Sequence, residues 1–444
     1  MTREWPLNKH TYLCDTAGQR QRNTLTDNSY TTYGYDDDAQ LTSSLGYTSG
    51  GSPIASEQLG FGYDGGWNMT SRSVNGTPSS YIVNDLNQVT NAANVPCSYD
   101  QNGNRITSGQ GSGTTQYTYD DENRLTRVSY STAYRTDFTY DGLGRLRVRT
   151  EYTYYYGQWN VASVTRYIYD GKRVIQERDG NNTPAVSYTR GKDLSGSLEG
   201  AGGIGGLLAR SHGYSGGNWS THNFYHADGN GNVTYMINSA QALVASYKYD
   251  PYGRTVSSSG SLAAANLYRF SSKEIHVNSG LYYYLYRFYD PNTQRWLNRD
   301  PLGEGGGINV YIFAANVPAN VVDRFGLQGI VVRPQFPRGE GGVFAPWVRD
   351  PYDLSDINHA LNHLEFPDWR ERSVYGCRFG CPLGTCLGHL STRPVAAPPP
   401  VPPQPLPPGS SCSICPVNNV PVITIIIEPP PMPVLTFPIY DPSR

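Results

Sequence analysis

Apolar and polar positions alternate with a period of two along most of the first 327 residues. The pattern is carried by short stretches such as Tyr33-Gly34-Tyr35, Phe61-Gly62-Tyr63, Tyr117-Thr118-Tyr119, Phe138-Thr139-Tyr140 and Tyr247-Lys248-Tyr249. Alternation of this kind sends successive side chains to opposite faces of a strand, and aromatic and β-branched residues suit that pleated surface. An Asp follows each stretch, then Gly- or Asn-rich residues that supply side chain-to-backbone turn bonds and positions with φ > 0. The unit recurs as YGYDDDAQLTS from Tyr33, FGYDGGWNMTS from Phe61, CSYDQNGNRIT from Cys97, YTYDDENRLTRV from Tyr117, FTYDGLGRLRV from Phe138, YIYDGKRVI from Tyr167 and YKYDPYGRTV from Tyr247. Its Asp residues lie 20 to 36 positions apart, with one long gap between Asp170 and Asp250. Each unit reads as a β-hairpin. One hairpin cannot bury its own face, so successive units are expected to add edge to edge into a long antiparallel sheet that curls. Arg105, Arg124, Arg145 and Arg254 fall on the returning strands, placed to pair with the Asp of a neighbouring unit or to stack on tyrosine rings. Helical periodicity is nearly absent before residue 328, so the predicted class is mainly β.

Composition changes abruptly at one border. Of 36 tyrosines, 33 precede Gln328, whereas 17 of 32 prolines follow residue 390. The chain therefore divides at residue 327 into a Tyr-rich body and a tail, the tail comprising a small variable module over 328–390 and a Pro-rich extended end over 391–444. In the module, SDINHALNHLEF predicts a short helix with Ser355 and Asp356 at its start. It carries His359 and His363 on one face, without the glutamate of a zincin. Val420–Ile427 reads as a strand expected to add to the sheet of the body. The tail is thus small, mostly irregular and α-containing.

Charge excludes some functions. The formal net charge of −2 gives no long-range attraction to nucleic acid or anionic membrane. The first residues are charged and lack the apolar run of a Sec signal, and the apolar run Val422–Ile427 is too short to span a bilayer as a helix. Seven cysteines include a cluster, Cys377, Cys381, Cys386, Cys412 and Cys415, with His389 beside it. These are weak zinc candidates: Cys412-x2-Cys415 is a usable half-site, but the other spacings are irregular, and disulfides or free thiols fit as well. No other cofactor is indicated. Gly200-Ala201-Gly202-Gly203-Ile204-Gly205 matches the dinucleotide fingerprint in letters, yet no strand–helix unit surrounds it, so a glycine-rich hairpin is the expectation.

The Tyr-Asp units resemble the YD repeats of RHS proteins. The block GLYYYLYRFYDPNTQRWLNRDPLG, NVYIFAANVPANVVD and a final Gly-Leu resembles the RHS repeat-associated core domain, with SYTRGKDLSGSLEGAGGIGGLLAR and FYHADGNGNVT similar to stretches that precede it. The resemblance covers roughly residues 30–327 and implies a repeat region over 1–245 and a core domain over 246–327, and the tail is left without a counterpart. It implies a bacterial polymorphic-toxin carrier, with relatives among animal adhesion receptors, whose repeats form a hollow β-shell closed by the core. It further implies that the C-terminal region is held inside and freed by self-cleavage after the final Gly-Leu. The residues carried over are Asp300 and Asp323 as an aspartate dyad, with Arg299 as an orienting group and Leu327–Gln328 as the scissile bond. Two close carboxylates cannot both ionise, which suits an acid and a base. One departure stands out: Arg324 occupies the place where the family commonly has proline. The implied partners are the chain's own C-terminal segment, an immunity protein or a cell-surface glycan, and the implied location is secreted or at the cell surface by a non-Sec route. Two other readings stay open. The tail is a toxin enzyme of unknown chemistry, or the body is a surface adhesion or carbohydrate-binding scaffold.

Overall fold

The structure, a computed structural model, describes residues 8–327 and, further on, the strands Gly329–Val331, Ile414–Val417 and Val420–Ile426. Every strand from Lys9–Cys14 to Thr255–Ser259 pairs antiparallel with the next in sequence, and the two later strands bring the sheet to 24. Val420–Ile426 adds to the edge strand Lys9–Cys14, as its β-branched run predicts. First and last strands of the meander do not pair, so the sheet is open among the described residues. No α-helix forms among them, only four short 3-10 turns.

The Asp of the repeat is a turn staple. In the fourth unit quoted above, Asp120 Oδ1 accepts the N–H groups of Glu122 at 3.1 Å and Arg124 at 2.9 Å. Asn123 takes the left-handed conformation at φ 60°, and the pairing register slips between Thr118 and Tyr119. This is a type I turn closed by a bulge, and the bulge bends the strand and raises its twist. Asp64, Asp141, Asp179, Asp228 and Asp250 make the same pair of bonds to residues two and four positions on.

The tyrosine before the Asp stitches units together. The hydroxyls of Tyr63, Tyr140, Tyr169 and Tyr249 donate to the carbonyls of Leu41, Leu125, Leu146 and Val233 on preceding strands, at 2.7 to 2.9 Å. The arginines divide differently from expectation. Arg124 and Arg145 pair with Asp120 and Asp141 of their own turns, because the staple leaves Oδ2 facing the returning strand. They do stack on the next unit's tyrosines, Tyr140 and Tyr169, at 5.2 Å.

Residues 260–327 sit against the turn ends of the sheet. Their centre is a small sheet, Glu274–His276, Leu281–Tyr283, Phe288–Asp290 and Arg295–Trp296. Tyr284, Tyr289, Trp296 and Phe313 form an aromatic knot there, with Tyr289 stacked on Phe313 at 3.9 Å. That knot packs on Leu41, Leu59, Phe61, Met69, Tyr81 and Val89 of the wall. Polar side chains extend the seam around the rim. Asn316 donates to Gln40 and Trp67, Arg295 to Asn68 and Asn87, Tyr311 to Gly103, and Asn298 to Asn123. Asn230, far along the meander, donates to Pro318 and Ala319. One 68-residue plug therefore touches turns from the first units to the last, which requires the meander to curl around it.

Candidate active site

Asp300 and Asp323 both occupy Asp-x-x-Gly turns built like those of the repeats. Asp300 Oδ1 accepts the Leu302 N–H at 2.8 Å, and Gly303 closes the turn at φ 57°. Asp323 Oδ1 accepts three N–H groups, from Phe325, Gly326 and Leu327, at 2.7 to 3.2 Å, with Gly326 at φ 74°. In each case one carboxylate oxygen is occupied by the turn and the other, Oδ2, is left to face inward.

Both inward oxygens meet one guanidinium. Arg287 Nη2 lies 2.6 Å from Asp300 Oδ2 and 3.8 Å from Asp323 Oδ2. The same nitrogen donates to the Leu327 carbonyl at 3.2 Å, while Nε donates to Gly326 O and Nη1 to Val310 O. The guanidinium also lies over the Trp296 ring, 4.3 Å from its centre. All three charged side chains are buried. Burial pushes the Asp300 carboxyl up to about 6, against the pull of Arg287 and helped by the nearby charge of Asp323. Leu327 lies between the paired strands Val321–Asp323 and Gly329–Val331, so the carbonyl held by Arg287 belongs to the connection of a hairpin.

The structure brings Asp300, Asp323 and Leu327 together and places Arg299 elsewhere. Arg299 is exposed, with its stem against Gly103. The cation that lies beside both carboxylates is Arg287, which sequence reasoning missed. A signal was present: Arg287 is the one charge inside the aromatic run Leu281–Tyr289, and a charge buried there must be paired. The tail candidates Cys377, Cys381, Cys386, His389, Cys412 and Cys415, and the segment with His359 and His363 for which a helix is expected, lie outside the residues whose side chains the structure describes.

The glycine-rich segment is a wound loop rather than a hairpin. Asp193 holds it from inside, its Oδ2 accepting the N–H groups of Ala201 at 2.7 Å and Gly203 at 3.0 Å.

Parts of the chain are similar to known proteins. A family model described as Teneurin YD-shell matches residues 17–174. The chain is 29% identical over 258 residues to double-stranded DNA deaminase toxin A of Burkholderia cenocepacia, covering 55% of this chain and 18% of that one. It is 29% identical over 274 residues to tRNA nuclease WapA of Bacillus subtilis, covering 59% and 10%. The repeats and these matches fit an RHS/YD-repeat protein. The chain spans less than a fifth of either relative's length. Among solved structures, the crystal structure of TcdB2-TccC3-TEV aligns over 72% of this chain and 19% of its own, with 16% identity and a TM-score of 0.39.

Proposed function

We propose that this chain is the carrier portion of a polymorphic toxin, a β-shell that holds the polypeptide following its plug and severs it after Leu327. The observation that carries the cleavage step is that one nitrogen of Arg287 touches Asp300, Asp323 and the Leu327 carbonyl oxygen. The two carboxylates are not equivalent. Asp300, kept protonated to about pH 6 by burial, is the acid that gives its proton to the departing Gln328 nitrogen. Asp323, with Oδ1 filled by three turn bonds, uses Oδ2 as the base that takes a proton from the attacking water. Arg287 stabilises the negative charge that develops on the Leu327 oxygen. Water adds its oxygen to the Leu327 carbonyl carbon, the C–N bond to Gln328 breaks, and a carboxylate and an amine are left. Carrier function also draws support from the names of both relatives, a toxin and a nuclease. No helix among the described residues is long and apolar enough to cross a membrane.

Intact-mass measurement of the purified chain tests the cleavage. The expected result is two fragments, 1–327 and 328–444, and a single uncut species for Asp300→Asn. An uncut wild-type chain overturns the step. Expression of residues 328–444 alone in bacteria tests the carrier reading, with growth arrest expected and unimpeded growth counting against it.

A second reading rests on exposed aromatic residues at hairpin tips. Tyr155 and Tyr156 are 61% and 84% exposed, and flat rings of this kind offer stacking faces to sugars. Glycan binding by 1–327 that is lost in Tyr155→Ser/Tyr156→Ser would favour a surface-binding scaffold.

A further inference from the structure

The two Asp-x-x-Gly turns of the site differ at one position. The first reads Asp300-Pro301-Leu302-Gly303 and the second Asp323-Arg324-Phe325-Gly326. Proline fixes φ near −65°, so the first turn is stiffened from within and the second is not. What surrounds Arg324 is unusually restrictive. Its Nη1 donates to Gly200 O at 2.6 Å. Its own carbonyl accepts from Lys273 Nζ at 2.6 Å, and the same ammonium donates to Gly202 O at 2.9 Å. Gly202, at φ 65°, lies so close that a Cβ there would overlap the Arg324 carbonyl. The loop is itself fixed, wound on Asp193 and tied through Gly205 N–H to Ser272 Oγ at 3.1 Å.

We propose that the glycine-rich loop Gly200–Gly205, with Lys273, is a backbone clamp that holds the Asp323 turn in cleavage geometry, restraining Arg324 from outside as a proline would from within. The glycines are needed for close approach of one backbone to another, and the resemblance of their spacing to a nucleotide-binding fingerprint is incidental. Lys273 and Gly202 are positioning residues, since they touch Arg324 and not the reacting atoms. The inference rests on the cleavage reading for its kinetic consequence, but the clamp itself can be measured without cleavage.

The first measurement uses hydrogen exchange in the uncleavable Asp300→Asn background. Gly202→Ala and Lys273→Met are expected to speed exchange of the Phe325, Gly326 and Leu327 amides at least about tenfold, while amides of the distant strands Leu125–Tyr130 and Tyr134–Tyr140 keep their protection. Unchanged exchange at those three amides, or an equal loss across the whole sheet, overturns the clamp. The second measurement follows self-cleavage in the chain with Asp300 intact. Gly202→Ala is expected to slow it roughly a hundredfold, the scale of an ångström-sized misplacement. Adding Arg324→Pro is expected to recover at least a tenth of the wild-type rate, which general destabilisation would not produce. No recovery overturns the proposed equivalence of clamp and proline. A wild-type chain that never cuts removes the cleavage reading and leaves the exchange result to decide the clamp.

Discussion

An aspartate does two jobs in this chain with two different oxygens. In the stapled repeats Oδ1 secures the turn, and Oδ2 goes to the turn's own arginine or asparagine at Asp120, Asp141, Asp64 and Asp228 and to the buried Arg72 at Asp250. At Asp300 and Asp323 the turn bond survives, and Oδ2 is redirected to a buried guanidinium shared with the Leu327 carbonyl. The motif alone therefore does not separate the repeat turns from the proposed catalytic pair, and what does is a guanidinium shared by two carboxylates and a carbonyl. Arg287→Gln is expected to slow self-cleavage by about 10²–10³-fold, the usual loss for one donor to a developing oxyanion. Arg299→Gln, at an exposed site, should leave the rate unchanged, and band intensities over time will show both. The pH profile follows from Asp300. Because it must be protonated to act as acid, cleavage should fall about tenfold per pH unit above roughly pH 6. The stability consequence has a definite sign. Asp300 holds a proton in the fold that the unfolded chain releases above 3.8, the ordinary aspartate value. Its favourable contribution is thus complete below that value and is lost as pH rises through about 6, up to about 3 kcal/mol. Of the two uncleavable variants, Asp323→Asn should keep this fall between pH 4 and 6 in urea unfolding, and Asp300→Asn should lack it.

At the scale of elements, a hairpin in this sheet is secured by its turn and by a hydroxyl from the next unit. Tyr140 donates to Leu125 O at 2.7 Å in a setting where burial raises its own ionisation well above the ordinary range. Tyr140→Phe should cost about 1 kcal/mol, one hydrogen bond with its acceptor left unmet. Tyr130→Phe, at a ring 37% exposed, should cost nothing that a urea midpoint resolves. These elements were legible in the sequence because period-two aromatics, Asp and a residue with φ > 0 are local signals. The meander needed nothing else. That Arg287 must be paired was legible, but its partners and those of the loop at Gly200 were not, because they lie 13 to 124 residues away. No period or motif encodes such a distance. Lys273 shows the cost of these meetings: burial pulls its ammonium down to about 7 even with Asp323 nearby.

For the molecule as a whole, what matters is how the plug is tied to the wall. Arg105 Nη2 meets Asp290 Oδ2 at 2.7 Å, both buried, and its charge is held by that carboxylate against the desolvation that opposes it. Asp290→Ala leaves the guanidinium buried without its carboxylate and should destabilise the fold by about 3–5 kcal/mol. Limited proteolysis should then cut 260–327 at protease concentrations that leave the wild type whole, and an unchanged pattern would mean that the aromatic knot alone seats the plug.

The rim contacts also impose an order in time. Strand pairing along the meander joins sequence neighbours, which close quickly, whereas Asn316 must return to Gln40 and Asn320 to Tyr35 across some 280 residues. The plug therefore seats after the wall it touches. Arg287, Asp300 and Asp323 come from three separate turns of that plug, so their meeting reports that assembly is complete. A chain whose wall is misfolded or unfinished would keep its tail attached, and scission would act as a timer started by correct folding.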